Sequence, residues 1–168
     1  MIFVSLLALF IIVVSTLAGL KEGAAKHAFN LLITIVVIPL AGKIFWQPAS
    51  WLSFLPGEHL PNFLGFFITL GVLSAISQLV LLIPRKIVQG IWKHLPLYHL
   101  LGGVFNFVSA GIGLALLYFV TRTFPFWPWL ADAITGAGVM RWAAGLFGFV
   151  ENLLPAVFQS VGALVSFF

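Results

Sequence analysis

IFVSLLALFIIVVSTLAGL, residues 2–20, carries no charged side chain. A run of this length and apolarity reads as a membrane-crossing helix, because about 20 residues at 1.5 Å each cover the hydrocarbon core of a bilayer. A cleaved signal peptide opens with a basic segment and a shorter apolar stretch. Here no Lys or Arg precedes Lys21, so the span is the better reading.

Three further runs follow the same logic. They cover about residues 28–46, with Pro39 inside, 63–83, ending at Pro84, and 100–120. Backbone polar groups in lipid must satisfy one another, so each run should be helical. The composition agrees. Hydrophobic residues make up 62% of the 168-residue chain and charged residues 7%, against about 25% charged in a soluble domain. The fold class expected is an all-α membrane protein. It is a single integral domain of about four spans, with an amphipathic interfacial helix and a short apolar C-terminal region. That region, residues 131–168, includes ADAITGAGVMRWAAGLFGFVE (131–151) and Pro155. Its runs are short and broken, which favours interfacial or re-entrant helices over a fifth span.

The basic residues orient the bundle. Lys21 and Lys26 follow the first span, and Arg85, Lys86 and Lys93 the third. Lys43, Arg122 and Arg141 fall on the other side. Five against three places the first and third connections in the cytoplasm, and both ends of the four-span bundle outside. The net charge of +4 is spread between apolar runs, not clustered on one face as a nucleic-acid binder requires.

RKIVQGIWKHL, residues 85–95, has helical amphipathicity that Pro96 ends. Arg85, Lys86, Gln89 and Lys93 share one side, and Ile87, Val88, Ile91, Trp92 and Leu95 the other. Such a helix lies in the membrane plane with basic groups toward anionic headgroups. Arg85, Lys86, Trp92 and Lys93, with Trp127 and Trp129 after the fourth span, are the membrane-interface residues expected. The Pro-rich connection QPASWLSFLPGEHLPN (47–62) and the aromatic segment 121–133 read as interfacial anchors.

Small and polar residues recur at helical spacing: Ser5, Ala8, Ser15, Thr16 and Gly19; His27, Asn30 and Thr34; Gly71, Ser74, Ala75 and Gln78; Gly102, Asn106, Ser109, Ala110 and Gly113. Membrane helices associate through such residues. A polar pathway lined by Asn30, Thr34, Gln78, Asn106 and Ser109 is the sharper alternative. The acidic residues Glu22, Glu58, Asp132 and Glu151 lie outside the central parts of the spans, which gives a proton pump little to work with.

No catalytic motif is present. HExxH, GxSxG and GxxxxGK are absent, as is cysteine. The chain is expected to be no enzyme, and no catalytic or metal-binding residues are assigned. His27, His94 and His99 are the candidate ligands for a pigment or haem, with a polar boundary residue as the plainer reading of each. No cofactor is evident. Bound lipids are expected, and a pigment only within a photosynthetic complex.

Two segments resemble the colicin V production protein family of bacterial inner-membrane proteins. GLKEGAAKHAFNLL (19–32) matches through Gly19, Lys21 and Gly23, along with the helix that opens the second span. LLGGVFNFVSAGIGLALL (100–117) matches through Gly102, Gly103 and Gly111. This sequence departs at His27, where an acidic residue is common, at Tyr98-His99, where Asp-Arg is common, and at Ala110, where Arg is usual. The resemblance implies a multi-pass inner-membrane protein linked to toxin production or export. Two functions follow as expectations. One is an accessory or structural subunit of a larger membrane complex, respiratory or photosynthetic. The other is a small transporter or export factor. The partners expected are membrane lipids and larger membrane-protein subunits, or further copies of the chain.

Overall fold

A computed structural model describes residues 2–57, 59–94 and 97–154. Four of its helices are long and apolar enough to cross a membrane: α1 (Ile2–Glu22), α2 (Ala24–Ile44), α4 (His59–Val80) and α6 (Tyr98–Thr123). The shorter helices are α3 (Trp46–Trp51), α5 (Leu82–Trp92), α7 (Pro128–Thr135), α8 (Gly138–Leu146) and α9 (Phe149–Leu153). Glu58, Leu95, Pro96 and residues 155–168, with Pro155, lie outside the described residues.

Helix ends differ from the expected spans for local reasons. α2 starts at Ala24, not residue 28, because Gly23 breaks the chain and the polar Lys26 and His27 belong to the helix. α4 stops at Val80, not 83. Pro84 does not end it but sits in the first turn of α5, where proline's missing N–H costs no hydrogen bond. The amphipathic helix therefore begins at Leu82, a turn before Arg85. α3 forms across the end of the expected second span and the start of the Pro-rich connection, with Pro48 in its first turn.

α6 is the central element. α1 and α2 lie along it, and α4 packs on α2 and α3. One core joins Ile38, Ala41 and Phe45 of α2 and its end, Phe66 of α4, and Ile112, Leu116, Phe119 and Val120 of α6. Aromatic rings extend it at this end: Phe45 meets Phe66 at 6.3 Å and Phe124 at 6.0 Å, and Phe63 meets Phe126 at 4.3 Å. Ring pairs of this kind add attraction beyond their buried area.

After α6 the chain turns back along the bundle. Ala137, Met140 and Ala143 pack with Ala8 and Ile12 of α1 and with Leu114 of α6. The Trp142 ring lies 6.3 Å from that of Phe107, near the middle of α6. At about 1.5 Å per residue, α7 and α8 are each roughly 12–14 Å long, too short to cross the hydrocarbon core of about 30 Å. The described part of the C-terminal region is thus a broken hairpin against α1 and α6.

Candidate functional site

The polar residues gather where α1 turns into α2 against the start of α6. Gly23 adopts φ +84°, a left-handed backbone that glycine accepts without strain. A Cβ at Gly23 would also strike the Tyr98 ring. Gly19 and Gly102 bring α1 and α6 together backbone to backbone. A Cβ on Gly19 would lie 2.7 Å from that of Asn106, and one on Gly102 would lie 2.6 Å from the Gly23 carbonyl carbon. Gly103 meets the Leu20 side chain in the same way. This close approach lets α6 side chains reach α1 carbonyls. Asn106 Nδ2 donates to the Ser15 carbonyl at 2.5 Å, and the His99 Nδ1–H donates to the Leu20 carbonyl at 2.9 Å.

Glu22 closes the corner, with one carboxylate oxygen 2.7 Å from Lys26 Nζ and the other 3.0 Å from His27 Nε2. The His27 contact has ion-pair distance without hydrogen-bond alignment. The His27 residue is only 3% exposed. Its Nδ1, Asn30 Oδ1 and the Tyr98 hydroxyl are buried without hydrogen-bond partners. The sequence reading missed the Glu22–His27 pair. Its signal was the five-residue separation across Gly23, which folds the end of one helix onto the start of the next. Among the described residues, no group of three His, Cys, Asp or Glu side chains is placed to hold a metal ion. Of the candidate pigment ligands, His27 is enclosed against Glu22, His99 is bound to a carbonyl, and His94 is exposed beyond the end of α5.

The expected helix-packing residues divide into two sets. Gly19, Gly23, Gly102 and Asn106 meet in the α1–α2–α6 contact. Gly71, Gln78 and Gly113 are exposed, Ser74 is half-buried, and a Cβ on Gly71 or Gly113 would meet nothing within 4 Å. Gly71 and Gly113 therefore mark no close approach between helices of this chain. Nor does the suggested polar pathway form a shared lining. Thr34 and Ser109 hydroxyls donate to the carbonyls of Asn30 and Phe105 in their own helices, and Gln78 faces outward.

Residues 71–94, the second half of α4 and all of α5, include no buried residue. Val88 and Trp92 pack against Ala24, Ala25 and Tyr98, which seats α5 across the end of the bundle beneath the polar corner. Ile83, Ile87 and Ile91 remain well exposed, as do Lys86 and Lys93. At the opposite end, the Trp127 and Trp129 rings are exposed and stack at 6.5 Å.

Four apolar helices around a glycine-tight α1–α6 contact, with an amphipathic helix at one end, define a multi-pass helical membrane protein. The chain belongs to the Colicin V production protein family, whose model matches residues 4–147. The match spans the polar corner, α4, α5, α6 and all of α8. Comparison with curated proteins and with solved structures gave no match.

Proposed function

We propose that this chain is a non-catalytic docking subunit of the bacterial inner membrane, which holds helices of larger membrane proteins against α4. The observation that carries this reading is residues 71–80. They form half of a membrane-crossing helix, and none of them is buried by the chain itself. Leu79 and Val80 are 72% and 70% exposed. The face holding Gly71, Ala75 and Gln78 offers a close approach and a side-chain amide, the features by which helices associate in lipid. The basic end, with Lys21, Lys26, Arg85, Lys86 and Lys93, lies in the cytoplasm by the positive-inside rule. α5 anchors that end among headgroups. A respiratory or photosynthetic complex suits such a subunit.

The family description favours a second reading, an export factor or small transporter serving toxin production. That role needs a polar path at mid-depth. The grooves at that level among the described residues have apolar walls, as in the one formed by Leu31, Leu32, Ile35, Val36 and Phe105.

The test places a photo-crosslinking amino acid at Ala75 in native membranes. Discrete adducts with another membrane protein are expected. Adducts with lipid alone, or with a second copy of the chain, would overturn the docking role.

A further inference from the structure

Six threonines occur in the chain. Thr16, Thr34, Thr69, Thr123 and Thr135 each donate the hydroxyl to the carbonyl four residues back in the same helix. Thr121 does not. It is 0% exposed, and its Oγ1 has no hydrogen-bond partner. A buried hydroxyl left unpaired is costly and calls for a physical explanation.

Thr121 forms part of the wall of an open cleft of about 700 Å³ between the end of α6 and α7, together with Tyr118, Arg122, Asp132, Thr135 and Gly136. A cleft of this size suits a small-molecule ligand. Arg122 and Asp132 line the same cleft, yet they form no ion pair with each other or with any described residue. Arg122 is half-buried and Asp132 exposed, each on a backbone fixed by its neighbours. Arg122 lies between the buried Thr121 and Thr123, and Asp132 follows the buried Ala131, with Ile134 buried further along α7. The cleft opens at the end of a membrane-crossing helix, beside the exposed Trp127 and Trp129 that mark a headgroup level.

We infer that this cleft binds a zwitterionic aminoethyl phosphate group, the headgroup chemistry of phosphatidylethanolamine. The Arg122 guanidinium donates to the phosphate oxygens; the Thr121 hydroxyl, enclosed in this structure, would have to turn into the cleft to add a second donor. The ligand's ammonium donates to the Asp132 carboxylate. Guanidinium geometry matches two phosphate oxygens at once, and a primary ammonium has three N–H groups that a quaternary one lacks. This inference goes beyond the docking role of α4, which lies elsewhere on the chain.

The test is lipid titration of the purified full-length protein by native mass spectrometry, with phosphatidylethanolamine, phosphatidylcholine and phosphatidylglycerol. Phosphatidylethanolamine is expected to bind at least about tenfold tighter than either other lipid, the scale of one charge-assisted hydrogen bond. Asp132→Asn should bring phosphatidylethanolamine to the level of phosphatidylglycerol. Arg122→Gln should weaken both by about tenfold, and Gln47→Ala, exposed on α3 away from the cleft, should change neither. A parallel titration with free phosphoethanolamine separates the sources. Binding as tight as the lipid's identifies a soluble ligand, and binding of the lipid alone identifies a membrane one. Thermal unfolding confirms that both near-isosteric variants fold. Equal retention of the three lipids without phosphoethanolamine binding would overturn the inference. So would a preference for phosphatidylethanolamine that survives both Asp132→Asn and Arg122→Gln.

Discussion

At Gly102 a single hydrogen separates two helix backbones, and at Gly71 the same side chain faces open space. The contrast gives a paired prediction. Gly102→Val must push α1 away from α6 and should destabilise the detergent-solubilised protein by about 2–3 kcal/mol, the usual cost of overpacking against atoms that cannot yield. Gly71→Val should stay within about 0.5 kcal/mol, as surface changes do. Thermal unfolding of the two variants measures both. Asn106 supplies a second residue-level prediction. Asn106→Leu removes the hydrogen bond to the Ser15 carbonyl and should cost about 1 kcal/mol by the same measurement, since interhelical bonds in membranes rarely contribute more. Helical spacing pointed to Gly19, Gly102 and Asn106, and the family resemblance to Gly23. The sequence could not separate them from Gly71 and Gly113, because helical spacing shows which residues share a face and not what that face meets. Nor did it pair Glu22 with His27, since the pairing depends on the left-handed turn at Gly23.

Among the elements, the four long helices were legible because an uninterrupted apolar run of about 20 residues has few other uses. Their ends were less so. Pro84 reads equally well as the stop of one helix or the first turn of the next. The hairpin of α7 and α8 is not legible in the sequence for a further reason: its short runs support several arrangements until tertiary contacts select one. The contact that selects it joins Gly111 to the Phe147 ring, which a Cβ at 111 would overlap. Gly111→Leu should therefore release the segment after α6 while α1, α2 and α4 stay packed. Hydrogen exchange followed by mass spectrometry should show faster exchange across residues 128–153 and little change in α2. Equal loosening of all helices would mean that the hairpin is part of one cooperative core.

For the whole molecule, five of the eight basic residues gather at one end of the bundle. Lys21, Lys26, Arg85, Lys86 and Lys93 lie at the end formed by the α1–α2 turn and α5. The chain has no cysteine, so single-cysteine reporters are clean. In intact bacteria, Lys86→Cys should resist a membrane-impermeant maleimide, and Ser53→Cys, on the connection after α3, should react. The reverse pattern would invert the orientation. The same end also carries the stretch that the chain leaves bare, residues 71–94, and the docking role rests on part of it. That role is tested most directly by blue-native electrophoresis of membranes solubilised in mild detergent, with mass spectrometry of the band that contains this protein. The account predicts that it migrates with a fixed set of larger membrane subunits, and that Gly71→Leu combined with Gln78→Leu releases it as a folded monomer. Migration of the unaltered protein alone, or only with copies of itself, would contradict the account.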